Sequence, residues 1–441
     1  MPRFRSKELM TRGTGGVIAA TTAPSPAHVG QRWFNTATAV TYQYTRDAAG
    51  TKFWLDISSG GIGTSASRGV DLVGDTDPHP RSNISGAAVG MVYYNRETDG
   101  YFICRDVTTN VNVWESTEFS AKTDGADWIT SYIISNVTYR VHVFLTSGTF
   151  YLDHTASLDI LIVGGGAGGG GEFGGGGGGG GVLYTTSGAK SITAGTYPVV
   201  VGEGGREGYH STSPYTWPGS GVGPGPAQPG GLSSVFGATA YGGGPGQSRS
   251  KNSWSEYITA NMANGGGGNE STAGQTGTAP SATGFTGYGG NNGGDGGGAG
   301  PNYPAGGGAG SGASAHGEDP SSNSADGGDG GNGIQIGTIY DNATNYYWGA
   351  GGGGGQHAVS VQAGSGGSGG GGGGTGHSGG SVGPGGTGGL RAGEAGYAIG
   401  NGTHAGNGGA HTGSGGGGST HQYGIGGRGG SGIVLIRYAL V

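Results

Sequence analysis

Leu158-Asp159-Ile160-Leu161-Ile162-Val163 passes directly into Gly164-Gly165-Gly166-Ala167-Gly168, and after Gly169-Gly170-Gly171-Glu172-Phe173 come eight consecutive glycines, residues 174–181. The aliphatic run reads as a buried β-strand. A strand ending in Val-Gly-x-Gly-x-x-Gly matches the dinucleotide-binding fingerprint, but that motif works only when an α-helix follows and offers its N-terminus to the pyrophosphate. A glycine run cannot hold such a helix, at a cost of about 1 kcal/mol per residue against alanine. No cofactor is expected. Collagen is excluded too, because the glycines keep no every-third spacing with prolines between them.

Two states remain for this sequence: disorder, or an ordered glycine structure. Fixing a glycine costs ~0.5–1 kcal/mol more than fixing an alanine. Across the region, only a lattice that satisfies most backbone N–H and C=O groups between segments can offset that. Extended left-handed helices with three residues per turn can build one. Without side chains they approach neighbours on every side and gain N–H···O and Cα–H···O bonds. Residues 174–181 would then span about 25 Å. The apolar blocks favour order. Tyr139-Arg140-Val141-His142-Val143-Phe144-Leu145 alternates as a strand, and Val182-Leu183-Tyr184, Tyr197-Pro198-Val199-Val200-Val201 and Gly333-Ile334-Gln335-Ile336 interrupt the glycine. The chain closes on Ile433-Val434-Leu435-Ile436-Arg437-Tyr438, an aliphatic ending foreign to disordered tails.

Of 441 residues 116 are glycine, yet only 15 of these fall in residues 1–150 against 101 in residues 151–441. Two physical regimes therefore share the chain. The net charge of −7 belongs wholly to the second, so bulk nucleic-acid binding, which needs a basic patch, is not expected. A single cysteine, Cys104, excludes an intramolecular disulfide framework. Alternating with aromatic neighbours, it reads as a buried, inert thiol. No secretory h-region follows the first residues, and no stretch approaches the ~18 apolar residues of a membrane span. A protein made in the cytoplasm without signal peptide or membrane insertion is expected.

Before the glycine lies a repeat. Val29-Gly30-Gln31-Arg32-Trp33-Phe34-Asn35, Tyr42-Gln43-Tyr44 and Trp54 recur as Val89-Gly90-Met91-Val92-Tyr93-Tyr94-Asn95, Tyr101-Phe102-Ile103 and Trp114, with an offset of 60 at Val-Gly, at Asn and at the tryptophan. Each copy reads as three short strands, with a hairpin turn at Thr98-Asp99-Gly100 in the second. Trp54 and Trp114 read as hairpin-packing residues. Arg3, Arg5, Lys7 and Arg12 form a docking or solvated tail. The expected organisation is an arm at 1–28, β-modules at 29–60 and 89–120 joined by a linker at 61–88, and a glycine-rich domain at 121–441 whose core is 164–430. The expected fold is mainly β and irregular with little α-helix: small β-meander modules followed by a β-framed bundle of polyglycine II helices.

No catalytic constellation has motif support, so no enzyme is expected. Segments that interrupt the glycine carry Tyr209, Tyr215, Trp217, Trp254, Tyr257, Tyr303, Tyr346, Tyr347 and Trp348. Such rings give large, rigid contact area. They either touch a receptor or cap the bundle, and the sequence leaves both open. His357, His377, His404, His411 and His421 match no metal spacing and read as polar loop residues, so no metal site is expected. Asp295, Asp326 and Asp329 lack the nonapeptide period of calcium repeats and read as turn residues.

The repeats resemble a short module of bacteriophage tail-fibre and virion proteins through Gly30, Trp33, Phe34, Asn35, Tyr42, Tyr44 and Trp54, and again through Gly90, Tyr93, Tyr94, Asn95, Tyr101 and Trp114. Phe144-Leu145-Thr146-Ser147-Gly148-Thr149-Phe150, Leu161-Ile162-Val163-Gly164-Gly165-Gly166 and the Gly432-Ile433-Val434 to Ile436-Arg437-Tyr438 finish look like the glycine-rich domain of phage tail proteins, over roughly residues 141–441. The glycine stretches are also similar to the distal adhesins of T-even-like phages. The resemblance implies a virion protein, by default a homotrimer. Its N-terminal region would bind other tail proteins, and its glycine domain a host-surface glycan or outer-membrane protein. A purely structural fibre or filament component, and an ice-binding polyglycine protein, are the rival expectations.

Overall fold

A computed structural model describes residues 17–25, 31–36, 40–46, 52–56, 71–74, 84–95, 100–107, 113–116, 121–124, 128–134, 137–152, 155–185, 190–209, 225–249, 261–298, 303–322, 326–337, 339–341, 345–358, 361–377, 381–399, 402–421 and 424–440. No α-helix occurs among them. The chain is mainly β and extended, in two units, residues 1–118 and 119–441.

The first unit holds two sheets of the same design. β1 (Val17–Ala20), β2 (Arg32–Asn35), β3 (Val40–Arg46) and β4 (Lys52–Asp56) lie side by side in sequence order. So do β5 (Leu72–Gly74), β6 (Val92–Asn95), β7 (Gly100–Asp106) and β8 (Val113–Ser116). Each has one strand more than the sequence suggested. β1, from the expected arm, and β5, from the expected linker, pair in parallel with β2 and β6. Both are short and carry no aromatic residue, so the aromatic pattern used to find strands passed over them. Trp54 packs as expected: Trp33 stacks on Tyr42 at 4.9 Å and meets Trp54 edge-on at 5.6 Å, while the Trp33 indole N–H donates to the Ala20 carbonyl. The Trp114 side chain lies outside the described ones. Cys104 is fully buried opposite Trp114. The Arg3–Arg12 tail and the Thr98-Asp99 part of the hairpin turn lie outside the described residues.

In the second unit, β9 (Ala121–Asp124), β10 (Trp128–Ile134), β11 (Val137–Phe144) and β12 (Gly148–Leu152) lead into β13 (Ala156–Val163). β14 (Val182–Thr185), β15 (Lys190–Ile192), β16 (Gly195–Val199), β17 (Ser233–Val235), β18 (Ala238–Ala240) and β19 (Phe285–Tyr288) follow. The last are β20 (Ile334–Ile336), β21 (Tyr346–Trp348), β22 (Tyr397–Ile399), β23 (Gly402–His404) and β24 (Ile433–Leu440). The strands expected at the two ends of the glycine region are direct neighbours: β24 lies between β11 and β13, and Val163 is opposite Ile433. That closes the domain on itself. The central sheet is β10-β11-β24-β13-β14-β19, with β15 on β13.

Both faces of this sheet are covered, which is why β13 and β24 read as unbroken aliphatic runs rather than alternations. Leu158, Ile160, Ile162, Val434 and Ile436 pack on one side with Phe150 and Leu152 of β12, Val199 of β16 and Val235 of β17. Leu161, Val163, Ile433 and Leu435 pack on the other with Ile336, Ile339 and Trp348. Asp159 and Arg437, the polar interruptions, are opposite each other and pair at 2.6 Å.

Beyond the sheet the glycine segments form a lattice. Residues 174–181 show its rule. The N–H groups of Gly174, Gly177 and Gly180 donate to Ser419, Gly416 and Gly413. Those of Gly175, Gly178 and Gly181 donate to Gln247, Gly244 and Tyr241, and those of Gly176 and Gly179 to Gly306 and Ala309. Partners change at each residue and return at every third, the repeat of a three-residue-per-turn helix. The carbonyls of these residues accept from segments 164–170 and 352–355, from Gly267, and from the Asn264 amide and Ser311 hydroxyl. Every N–H and C=O of the run is thus bonded, to six surrounding segments. A Cβ on Gly177 would lie 2.3 Å from the Ala167 carbonyl oxygen, so only glycine permits this spacing.

At the lattice edge, side chains replace missing neighbours. The Oδ1 atoms of Asp326, Asp329 and Asn332 accept the amides of Gln362, Ser365 and Ser368, and Asp295 accepts that of Gly274. The Gly-Asp-Gly aspartates are therefore not turn residues. They sit within extended segments and satisfy edge amides.

Candidate functional site

The direction of each glycine segment fixes which residues share an end. Residues 164–171 leave β13, turn at Glu172-Phe173, and return as 174–181 into β14, so that turn marks the end far from the sheet. By the same bonding, segments 241–248, 349–356, 371–376 and 413–420 all run outward to this far end, and the segment beginning at Tyr303 starts there. Their next residues are Arg249, His357, His377 and His421.

These side chains converge. His357 lies 4.6 Å from His377 and 6.1 Å from His421, and His377 lies 5.3 Å from His421, ring centre to ring centre. One ring nitrogen from each can be chosen so that all three lie within 4.8 Å of one another. Phe173 and Tyr303 border His357 at 5.3 and 5.7 Å and each other at 5.0 Å. The Arg249 guanidinium stands 5.1 Å from the Phe173 ring and 5.5 Å from Tyr303, and pairs with Glu270 at 3.2 Å. Glu172, Phe173 and Tyr303 all adopt left-handed backbone at φ 46°, 53° and 43°. Such strain collects where surrounding structure imposes it.

Burial favours the uncharged form of His357 and His421. Burial, then the neighbouring His377 and His421 rings, lower the pKa of His357; burial, then His377, lower that of His421. Beneath the rings is a buried polar layer of Gln356, Thr375, Thr403, Ser419 and Thr420, with the Thr403 and Ser419 hydroxyls 3.0 Å apart. Among the described residues, neither side-chain amide atom of Gln356, nor the Thr420 hydroxyl, has a partner. Three polarisable nitrogens above a polar floor, half-buried and flanked by rings, suit a soft or borderline cation or a polar ligand that stacks.

The sequence candidates divide. Tyr303 is in the far-end cluster, and Tyr209 lies at the same end, where its amide donates to Gly225. Tyr346, Tyr347 and Trp348 lie at the sheet end instead. Trp348 is completely buried against the sheet. It is core, not contact surface, because β21 brings it under the central sheet beside Ile336. Tyr346 packs there with Tyr340 and bonds Asp341. Tyr215, Trp217, Trp254 and Tyr257 lie outside the described residues.

Of the five histidines, His357, His377 and His421 come together, whereas His411 turns at the sheet end against Ser431. Reading them as scattered loop residues relied on local ligand spacing. In a lattice, what matters is that each follows a glycine run within three residues, as Gln356-His357, Thr375-Gly376-His377 and Ser419-Thr420-His421. That shared ending was the available signal. Tyr397, exposed and stacked on His404 at 5.0 Å in the β22–β23 hairpin, was also missed, as was Arg249.

No curated protein matches this chain. A family model of the glycine-rich domain matches residues 145–394, more than half of the chain, beginning just before β12 and ending among the outward-running segments. By that match, and by the lattice it encodes, the chain belongs to the glycine-rich domain family.

Proposed function

We propose that the chain is a bacteriophage tail-fibre protein, a structural component of the virion and an adhesin that recognises a glycan or outer-membrane protein on the host cell. The observation that carries this reading is polarity. The chain enters the second unit through β9 to β13 at the sheet end, while the bundle, about 25 Å tall by its eight-residue segments, presents Arg249, Tyr303, Tyr397 and the three histidines at the other. A fully bonded lattice is a rigid mount, which lowers the entropy lost when its end groups bind. On this reading the N-terminal modules join other tail proteins, copies of the chain form a homotrimer, the protein is made in the host cytoplasm, and no catalysis is involved.

The test is adsorption. Labelled full-length protein should bind saturably to susceptible bacteria and compete with the phage. Exchanging Tyr303 and Arg249 for serine should weaken binding at least tenfold while Tyr347→Ser at the sheet end leaves it unchanged. Protein that labels the virion but does not adsorb would establish the purely structural role instead. Ice-growth inhibition without adsorption would establish the third reading.

A further inference from the structure

We propose that His357, His377 and His421 bind one divalent transition-metal ion of the zinc type at the far end of the bundle, through one imidazole nitrogen each, leaving a fourth coordination position for a water molecule. The inference rests on the geometry of the three run-ends and is independent of the receptor reading. Tetrahedral Zn–N bonds of 2.0–2.1 Å place ligand nitrogens ~3.4 Å apart. The three nitrogens, already within 4.8 Å, reach that separation by closing up to about 1.4 Å, a rotation of side chains that sit on surface ends and not in the lattice. The backbone beneath them cannot splay, since Gly355, Gln356, Thr375 and Ser419 are each bonded to neighbouring segments.

The surroundings fit a cation. The rings crowd one another at 4.6–6.1 Å between centres, an arrangement that suits a shared ion. Arg249, which stands over Phe173 and Tyr303 beside His357, is paired with Glu270. A ligating imidazole donates its remaining N–H to an outer partner. Here Gln356 and Thr420, each immediately before a ligand, are buried and hold oxygens that no group among the described residues uses. Imidazole donors select zinc, copper, nickel or cobalt over magnesium and calcium. Binding would tie the ends of three segments whose chain positions are 20 and 44 residues apart.

Calorimetric titration of metal-free, full-length protein with Zn²⁺ tests this. One ion per chain is expected, with no comparable heat from Mg²⁺. His377→Gln and His421→Gln should each weaken binding by more than the about 10–100-fold typical of losing an outer partner, while His411→Gln at the sheet end changes nothing. Amide protection across residues 174–181, measured in parallel, shows that the variants keep the lattice. With Co²⁺ as probe, visible absorption of a low-symmetry nitrogen site should appear in the native protein and vanish in both variants. The proposal is overturned if Zn²⁺ does not bind saturably, or binds equally to the variants with protection intact.

Discussion

Replacing Gly177 by alanine adds one methyl group at the centre of the lattice. Its Cβ would lie 2.3 Å from the Ala167 carbonyl oxygen and 2.8 Å from that of Gly168. Ordinary contact begins near 3.4 Å, so segment 164–170 must retreat by about 1 Å. That segment donates to the run through Gly164→Gly181, Ala167→Gly178 and Gly170→Gly175, each at 2.9 Å. Losing or stretching three such bonds costs about 2–4 kcal/mol, and overpacking adds about 1–3 kcal/mol. Alanine stiffens the unfolded chain and returns roughly 0.4–1 kcal/mol. The net expectation is destabilisation of at least about 2 kcal/mol, seen as a lowered melting transition of the second unit by calorimetry and as accelerated hydrogen exchange across residues 174–181. Ala167→Gly, which removes a buried methyl group from the same lattice, is the comparison and should cost only about 1–2 kcal/mol. If Gly177→Ala melts at or above the native temperature, the glycine there is not required by close packing and the argument fails.

Other outcomes follow from the sheet. His142 is buried with its Nε2 3.0 Å from the Tyr438 hydroxyl, and burial, reinforced by Arg140, pushes its pKa down to about 4. The unfolded chain binds a proton near pH 6.5 and the folded one does not until about pH 4, so stability falls as pH drops through this window. The loss reaches about 3 kcal/mol from this residue. His142→Gln should flatten that part of a urea-midpoint profile, and an unchanged profile would refute the assignment. Asp159→Asn leaves the Arg437 guanidinium, 11% exposed, without its charged partner. A stability loss of about 2–4 kcal/mol in denaturant is expected, and a loss below ~0.5 kcal/mol would show the pair to be dispensable.

Much of the fold was legible because backbone chemistry leaves few choices. Glycine at this density cannot form α-helix, and its amides must find partners, so a three-residue helix lattice framed by aliphatic strands followed from composition and from segments such as 158–163 and 433–438. The run Asp326-Gly327-Gly328-Asp329-Gly330-Gly331-Asn332 even writes the three-residue period into the sequence. It was read as turns because aspartate between glycines is ordinarily a turn signal. β1 and β5 escaped notice because an edge strand needs backbone pairing more than side-chain pattern.

The far-end cluster was not legible in the same way. His357, His377 and His421 are related only through the order in which segments 349–356, 371–376 and 413–420 pack, and nothing local encodes that order. The same holds for Trp348, whose aromatic neighbours suggested a contact loop until β20 and β21 carried it beneath the sheet. The sequence by itself determined the material: two regimes, strands at both ends, and glycine helices that must bond to one another. Tertiary structure alone decided which segments are neighbours and which side chains share an end, because a polyglycine helix is alike on every side and its amides accept any correctly spaced partner.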